Sequence, residues 1–119
     1  MPTPIFDTSG KVVGWLDGEV VRSIDGTHVA FVNNADVFDY YSQHLGRFGD
    51  GFFRDRQGNA VAFVEGATGP PIVPQTEIPP PAPVFAIAPL GSMPPFPPFA
   101  PFETNYWSAL TWAEFLGEA

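Results

Sequence analysis

The stretch Gly-x-x-Val-Ala-Phe-Val occurs twice in this chain, at Gly26–Val32 and at Gly58–Val64, and a looser copy, Gly10-x-x-Val-Gly-Trp-Leu, precedes both. Such a unit leaves few folds open. Asp-x-x-Gly closes a type I turn on a left-handed glycine, and Asp-Gly pairs supply the positive φ that tight hairpins require. Turn signals of this kind run through the first half at Asp7–Gly10, Asp17-Gly18, Asp25-Gly26, Asn33-Asn34, Ser42–Gly46, Asp50-Gly51 and Asp55–Gly58. Between them lie short runs of Val, Ile, Phe, Tyr and Trp, which suit a pleated surface. Seven turns separate eight short strands, hence four hairpins. The stretch His44–Phe53 supplies a degenerate fourth unit, keeping the glycine and the aromatics without the Val-Ala-Phe order. No segment of residues 1–66 carries a helical period. The expected fold class is all-β: a small antiparallel meander of about four repeated hairpins, flower- or barrel-like, with an extended Pro-rich tail and a short C-terminal helix.

Strand alternation predicts the facing of each unit. In Val13-Gly14-Trp15, Val29-Ala30-Phe31 and Val61-Ala62-Phe63 the two large residues are expected on one face and the small one on the other. The large residues would form an apolar layer, and the small ones would let backbones approach.

The chain changes composition near Gly66. Nine of the thirteen acids and all five bases lie in residues 1–66, whereas Glu77 is the only charge between Ala67 and Phe102. Thirteen of the fifteen prolines fall in that second stretch. Three regions follow: a hairpin body over 1–66, an extended apolar tail over 67–102, and a short docked helix within 103–119. Ordinary disordered segments are charged and poor in aromatics, but this tail carries Val84, Phe85, Ile87, Leu90, Phe96, Phe99 and Phe102. Proline forces an extended path and forbids helix, so the strip is expected to lie on the body or on a neighbouring chain. A Pro-rich recognition ligand is the alternative. At the C-terminal end Thr111-x-x-Glu114 has the form of a capping box, Ser108 is a rival N-cap, and Gly117 suits a C-cap. Trp107 and Trp112 mark this end as docked.

Charge excludes some partners. A net charge of −8 with one lysine and four scattered arginines argues against nucleic acid and against anionic membrane surfaces. No run reaches the roughly 18 apolar residues of a membrane span, and the start lacks the basic and apolar regions of a signal peptide; a soluble, cytoplasmic protein is expected. Without cysteine neither a disulfide framework nor a thiolate site can form.

Little in the sequence points to catalysis. His28 and His44 are the only histidines and show no metal-ligand spacing. Asp7-Thr-Ser-Gly10 lacks the closely spaced oxygens of a calcium loop, so the aspartates read as turn residues. No serine sits in G-x-S-x-G, and Ser42, His44 and Asp39 crowd one turn, unlike a triad whose base is oriented from elsewhere on a scaffold. No catalytic residue, metal site or cofactor is expected. Trp15, Tyr40 and Tyr41, with Phe38 nearby, are the candidate ligand surface, against the alternative that a body this small needs its aromatics inside.

Gly10-x-x-Val13-Gly14-Trp15, Leu45-Gly46-x-Phe48 with Asp50-Gly51, Asp55-x-x-Gly58-x-x-Val61-x-Phe63, and the end from Trp107-Ser108 through Trp112 to Phe115-Leu116 together resemble the bacterial 4-fold beta flower family. The resemblance covers nearly the whole chain. It implies a fold and carries no activity or catalytic residue.

The expectation for function is a non-enzymatic, self-associating β-module with a structural or protein-interaction role. Phe85, Phe96, Phe99, Phe102, Trp107 and Trp112 would serve self-association or tail packing. The partner is expected to be the chain itself, as a homo-oligomer with a tetramer favoured over a dimer; another protein partner is the further option. The alternative function is a small-ligand or glycan-binding module using the aromatic surface.

Overall fold

The computed structural model describes residues 2–89 and 103–117. Eight strands follow in chain order: β1 (Thr3–Phe6), β2 (Val12–Asp17), β3 (Val20–Ser23), β4 (His28–Asn33), β5 (Asp36–Asp39), β6 (His44–Gly49), β7 (Phe52–Arg54) and β8 (Ala60–Val64). Each pairs antiparallel with the next, and β1 pairs with β8, closing a barrel. Closure removes the exposed sheet edges of an open meander, so the barrel needs no neighbour to protect them.

The repeat is stricter than the recurring motifs imply. Asp7, Ser23, Asp39 and Asp55 stand sixteen residues apart and open four turns of one geometry. In each, the fourth residue donates its N–H back to the first residue's carbonyl: Gly10 to Asp7, Gly26 to Ser23, Ser42 to Asp39 and Gly58 to Asp55. All four fourth residues have positive φ, Ser42 included, at 65°. The third hairpin thus turns at Asp39–Gln43, and Leu45 and Gly46 belong to β6 rather than to a turn.

A bulge at the same place in every hairpin corrects the expected facing. The register shifts between Ile5 and Phe6, Val21 and Arg22, Val37 and Phe38, and Phe53 and Arg54. On the opposing strand Val13, Val29, Leu45 and Val61 become the extra, unpaired residues. Simple alternation therefore fails across them, and the valine does not share the aromatic residue's environment. Ala30 and Ala62 lie in one buried cluster with Ile5, Val21, Val37, Phe53 and Val64, against which Val13, Val29, Leu16, Val32 and Phe48 pack. Directly opposed residues share a face, and the interior rows are Leu16–Val21–Ala30, Val32–Val37–Gly46, Phe48–Phe53–Ala62 and Val64–Ile5–Gly14. The small member of each row directly follows the bulged residue. A Cβ on Gly14 would collide with the Arg22 carbonyl, and one on Gly46 with the Arg54 carbonyl and the Phe115 ring.

A helix, α1 (Trp112–Phe115), closes one end of the barrel. Its capping box is complete: the Thr111 hydroxyl accepts from the Glu114 N–H, and the Glu114 carboxylate accepts from the Thr111 N–H. Trp112, Phe115 and Leu116 join the interior cluster, with Trp112 edge-on to Phe53 at 5.2 Å. Ser108 is not the N-cap; its hydroxyl donates to Asp55 instead, at 2.5 Å.

Candidate functional site

The outward rows of the barrel carry its chemistry. They are Trp15–Arg22–His28, Phe31–Phe38–His44, Arg47–Arg54–Ala60 and Phe63–Phe6–Val12. One repeat position therefore alternates Phe6, Arg22, Phe38, Arg54 around the barrel. Both arginines are buried on the outer wall, at 3% and 5% exposure, a placement that costs heavily unless every donor finds an acceptor.

The tail supplies part of the set, while Arg54 Nε is left without a hydrogen bond among the described residues. Arg22 donates to the Gly26 carbonyl of its own turn (2.9 Å), to the tail carbonyl of Ala86 (2.8 Å) and to the Asp17 carboxylate (3.2 Å). The Phe85 ring lies 4.6 Å from its guanidinium carbon, a cation–π contact. Arg54 repeats the arrangement, donating to the carbonyls of Gly58 (2.8 Å), Thr104 (3.0 Å) and Pro70 (2.6 Å), with Glu103 3.5 Å away. Tail segments cross other turns too. Glu77 donates its N–H to the Gly10 carbonyl at 3.0 Å and accepts from the Val12 N–H at 2.6 Å. The Tyr106 carbonyl and Ser108 N–H bond to Ala60, beside a parallel bridge between Ala60 and Trp107.

The turn aspartates are engaged in the turns themselves. Asp7, Asp39 and Asp55 each accept the N–H groups two and four residues on, at 2.8–3.0 Å. In the second hairpin Asp25 takes this part, accepting from the Ser23 hydroxyl and the Thr27 N–H. Burial pulls the Asp7 carboxyl upward, but the Ser9 hydroxyl, the Lys11 and Ser9 N–H groups and the Lys11 charge outweigh it and hold the carboxyl below its ordinary value. Asp25 is lowered as well, first by the Ser23 hydroxyl and then by Thr27.

His44 is oriented by Asp36, not by Asp39: its Nε2 lies 3.0 Å from the Asp36 carboxylate, which Arg47 also approaches at 3.4 Å. The ring stands edge-on to Phe38 at 5.3 Å, and its Nδ1 is buried without a partner among the described residues. Beside it a cleft of about 450 Å³ opens between the third and fourth turns and the helix, lined by Gln43, His44, Asp55, Asn59, Ser108 and Glu114. Among the described residues no group of three or more His, Asp or Glu converges as metal ligands would.

The structure separates the residues of the expected aromatic surface. Trp15 is 2% exposed and its indole N–H donates to the Ile24 carbonyl at 3.2 Å; it is withdrawn from solvent. Tyr40 is half-buried between Phe31 (5.4 Å) and His28 (4.9 Å), and burial raises its phenol above the ordinary value against the lowering effect of Arg22. Only Tyr41 projects freely, at 88%. Of the tail aromatics, Phe85 packs on Arg22, Trp107 on Phe52 and Phe63 at 6.2 and 6.0 Å, and Trp112 in the interior. Phe96, Phe99 and Phe102 lie outside the described residues. Sequence reasoning missed Arg22 and Arg54. Their signal was an arginine at the same point before two of four matching turns, in otherwise apolar strand ends.

Four bulged hairpins closed into one barrel, wrapped by an extended tail and capped by a short helix, define an all-β class in which the four-fold repetition lies within one chain. A family model for the 4-fold beta flower protein matches residues 3–116, so the chain belongs to that family, whose function is unknown. No curated protein and no solved structure matches the chain.

Proposed function

We propose that this protein is a non-enzymatic, self-associating β-barrel module with a structural or protein-interaction role. The observation carrying this reading is the outer edge of the tail. Ile72, Ile78, Val84 and Ile87 are 92%, 93%, 100% and 98% exposed, although the segment bearing them is anchored on the barrel through Glu77, Phe85 and Ala86. Held in place, these side chains gain nothing from the other described residues, and each would gain about 1.5–3 kcal/mol on full burial. A second copy is the fitting partner. The strip is uncharged apart from Glu77, so strip against strip brings two acidic bodies together at the one place where like charges do not meet. Such a contact is self-complementary and closes on a two-fold axis; a tetramer is a pair of such dimers. Light scattering coupled to size exclusion tests it: an oligomer mass is expected at micromolar concentration, and Ile78→Asp/Val84→Asp/Ile87→Asp should return it to a folded monomer whose melting temperature no longer depends on protein concentration. A monomeric parent protein defeats the reading.

One observation supports the ligand-binding alternative. A cleft of about 380 Å³ is lined by His28, Val29, Asp39, Tyr40, Tyr41 and Leu116, which presents the size and aromatic walls of a small-ligand site. Titration of glycans and small apolar compounds, read by the signals of Tyr40 and Tyr41, would separate this reading from self-association.

A further inference from the structure

The two buried arginines hold the tail differently. Around Arg54 the chain is fixed many times over. Thr104, Tyr106 and Ser108 bond to Gly58, Ala60 and Asp55, and the helix that follows is sunk into the interior. Around Arg22 the seat is small and one-sided. The backbone carbonyl of Ala86 meets the guanidinium, and Phe85 lies over it. Pro83 and Phe85 rest where a side chain on Gly26 would be, 3.3 and 3.0 Å from that missing Cβ. Val84 and Ile87 on either side point fully into solvent.

We propose that the Arg22 seat is a peptide-recognition site, that Pro83–Ala86 is its occupant in cis, and that it accepts an uncharged, extended Pro-x-Phe-Ala segment from another polypeptide in its place. The chemistry of the seat specifies that ligand. Asp17 already neutralises Arg22, so the remaining donor calls for a neutral carbonyl rather than a carboxylate. The flat guanidinium and the side-chain-free floor at Gly26 take one aromatic ring and one proline. Proline two residues before the aromatic keeps the ligand extended at little entropic cost. Val84 is fully exposed among the described residues, so that position is free to vary. The site is independent of whether the protein self-associates.

A labelled peptide of residues 80–89, Pro-Pro-Ala-Pro-Val-Phe-Ala-Ile-Ala-Pro, tests the proposal by fluorescence anisotropy against the full chain. In the parent protein the tethered segment competes at an effective concentration of about 1 mM. Phe85→Ala weakens that competitor, so the variant should bind the peptide at least about tenfold more tightly than the parent does. A peptide with alanine in place of its phenylalanine should not bind. The parent provides a check that needs no variant: about 1 mM unlabelled peptide, matching the tethered segment, should displace it and shift the nuclear magnetic resonance signals of the protein's own Phe85 ring and Ala86 amide. The proposal is overturned if a folded Phe85→Ala variant fails to bind at that concentration, binds no better than the parent, or binds both peptides alike. Unmoved Phe85 and Ala86 signals in the parent overturn it as well.

Discussion

Gly26 shows how one residue serves both fold and tail. Its φ of 95° lies where L side chains are strained, and its missing Cβ leaves the floor on which Phe85 rests. Gly26→Ala should cost about 1 kcal/mol or more from backbone strain. It should also displace Phe85 from Arg22, which the melting temperature and the Phe85 ring signals would report together. Asp7 carries a different kind of dependence. Its folded carboxyl is held below 3.8, so the stability it contributes is complete above its unfolded pKa and is lost as pH falls through the lowered value. Asp7→Asn keeps an acceptor oxygen but not the charge. Melting curves of that variant should lose part of the parent's dependence below pH 3.8; identical acid profiles would show that this carboxylate does not govern the turn.

At the scale of elements, the hairpins were legible because turn chemistry is local. Asp-x-x-Gly specifies its own backbone at Asp7–Gly10 and Asp55–Gly58, and the two equivalent turns depart from it by one residue each, Ser23 in the second and Ser42 in the third. The facing of the strands was not legible. A bulge is one extra residue in an otherwise regular run, and Val13-Gly14-Trp15 read alone gives no sign that Val13 is the residue left unpaired. Trp15, a candidate for the ligand surface against the alternative of a packed aromatic, is 2% exposed with its indole N–H on the Ile24 carbonyl. The barrel's closure was half visible: repetition predicts equal units, but only the pairing of Ile5 with Val64 and Phe6 with Phe63 shows that the first unit meets the last. The helix was read correctly from Thr111 and Glu114, yet its value lies in where it docks. Four residues of isolated helix have no stability of their own, so α1 is held by Trp112, Phe115 and Leu116 in the barrel mouth. Trp112→Ala should therefore cost about 3–5 kcal/mol, the range for deleting a large buried aromatic. Thr111→Ala should cost about 0.5–2 kcal/mol through the lost cap. Equal losses in chemical denaturation would mean that the cap, not the docking, holds this end.

At the scale of the molecule, the tail is the fourth wall of a structure that repetition alone leaves unfinished. The barrel interior is open at one end until Trp112, Phe115 and Leu116 fill it, and its outer wall holds two arginines that need carbonyl partners. Arg54 takes two of its three carbonyl bonds from Pro70 and Thr104, and Arg22 takes one from Ala86. A chain ending at Gly66 would lose all three bonds and the buried cluster at the barrel mouth at once. Three large side chains leaving the interior remove about 1.5–3 kcal/mol each, which together approaches the whole stability of a small domain. We therefore expect residues 1–66 alone to be molten or aggregated, with little dispersion in nuclear magnetic resonance spectra. Adding residues 103–117 in trans should restore order only in part, because the Arg22 seat and the Pro70 carbonyl stay unfilled. A cooperative melt of the 1–66 fragment near that of the full chain would show that the four hairpins suffice, and that the tail merely rests on a barrel complete without it.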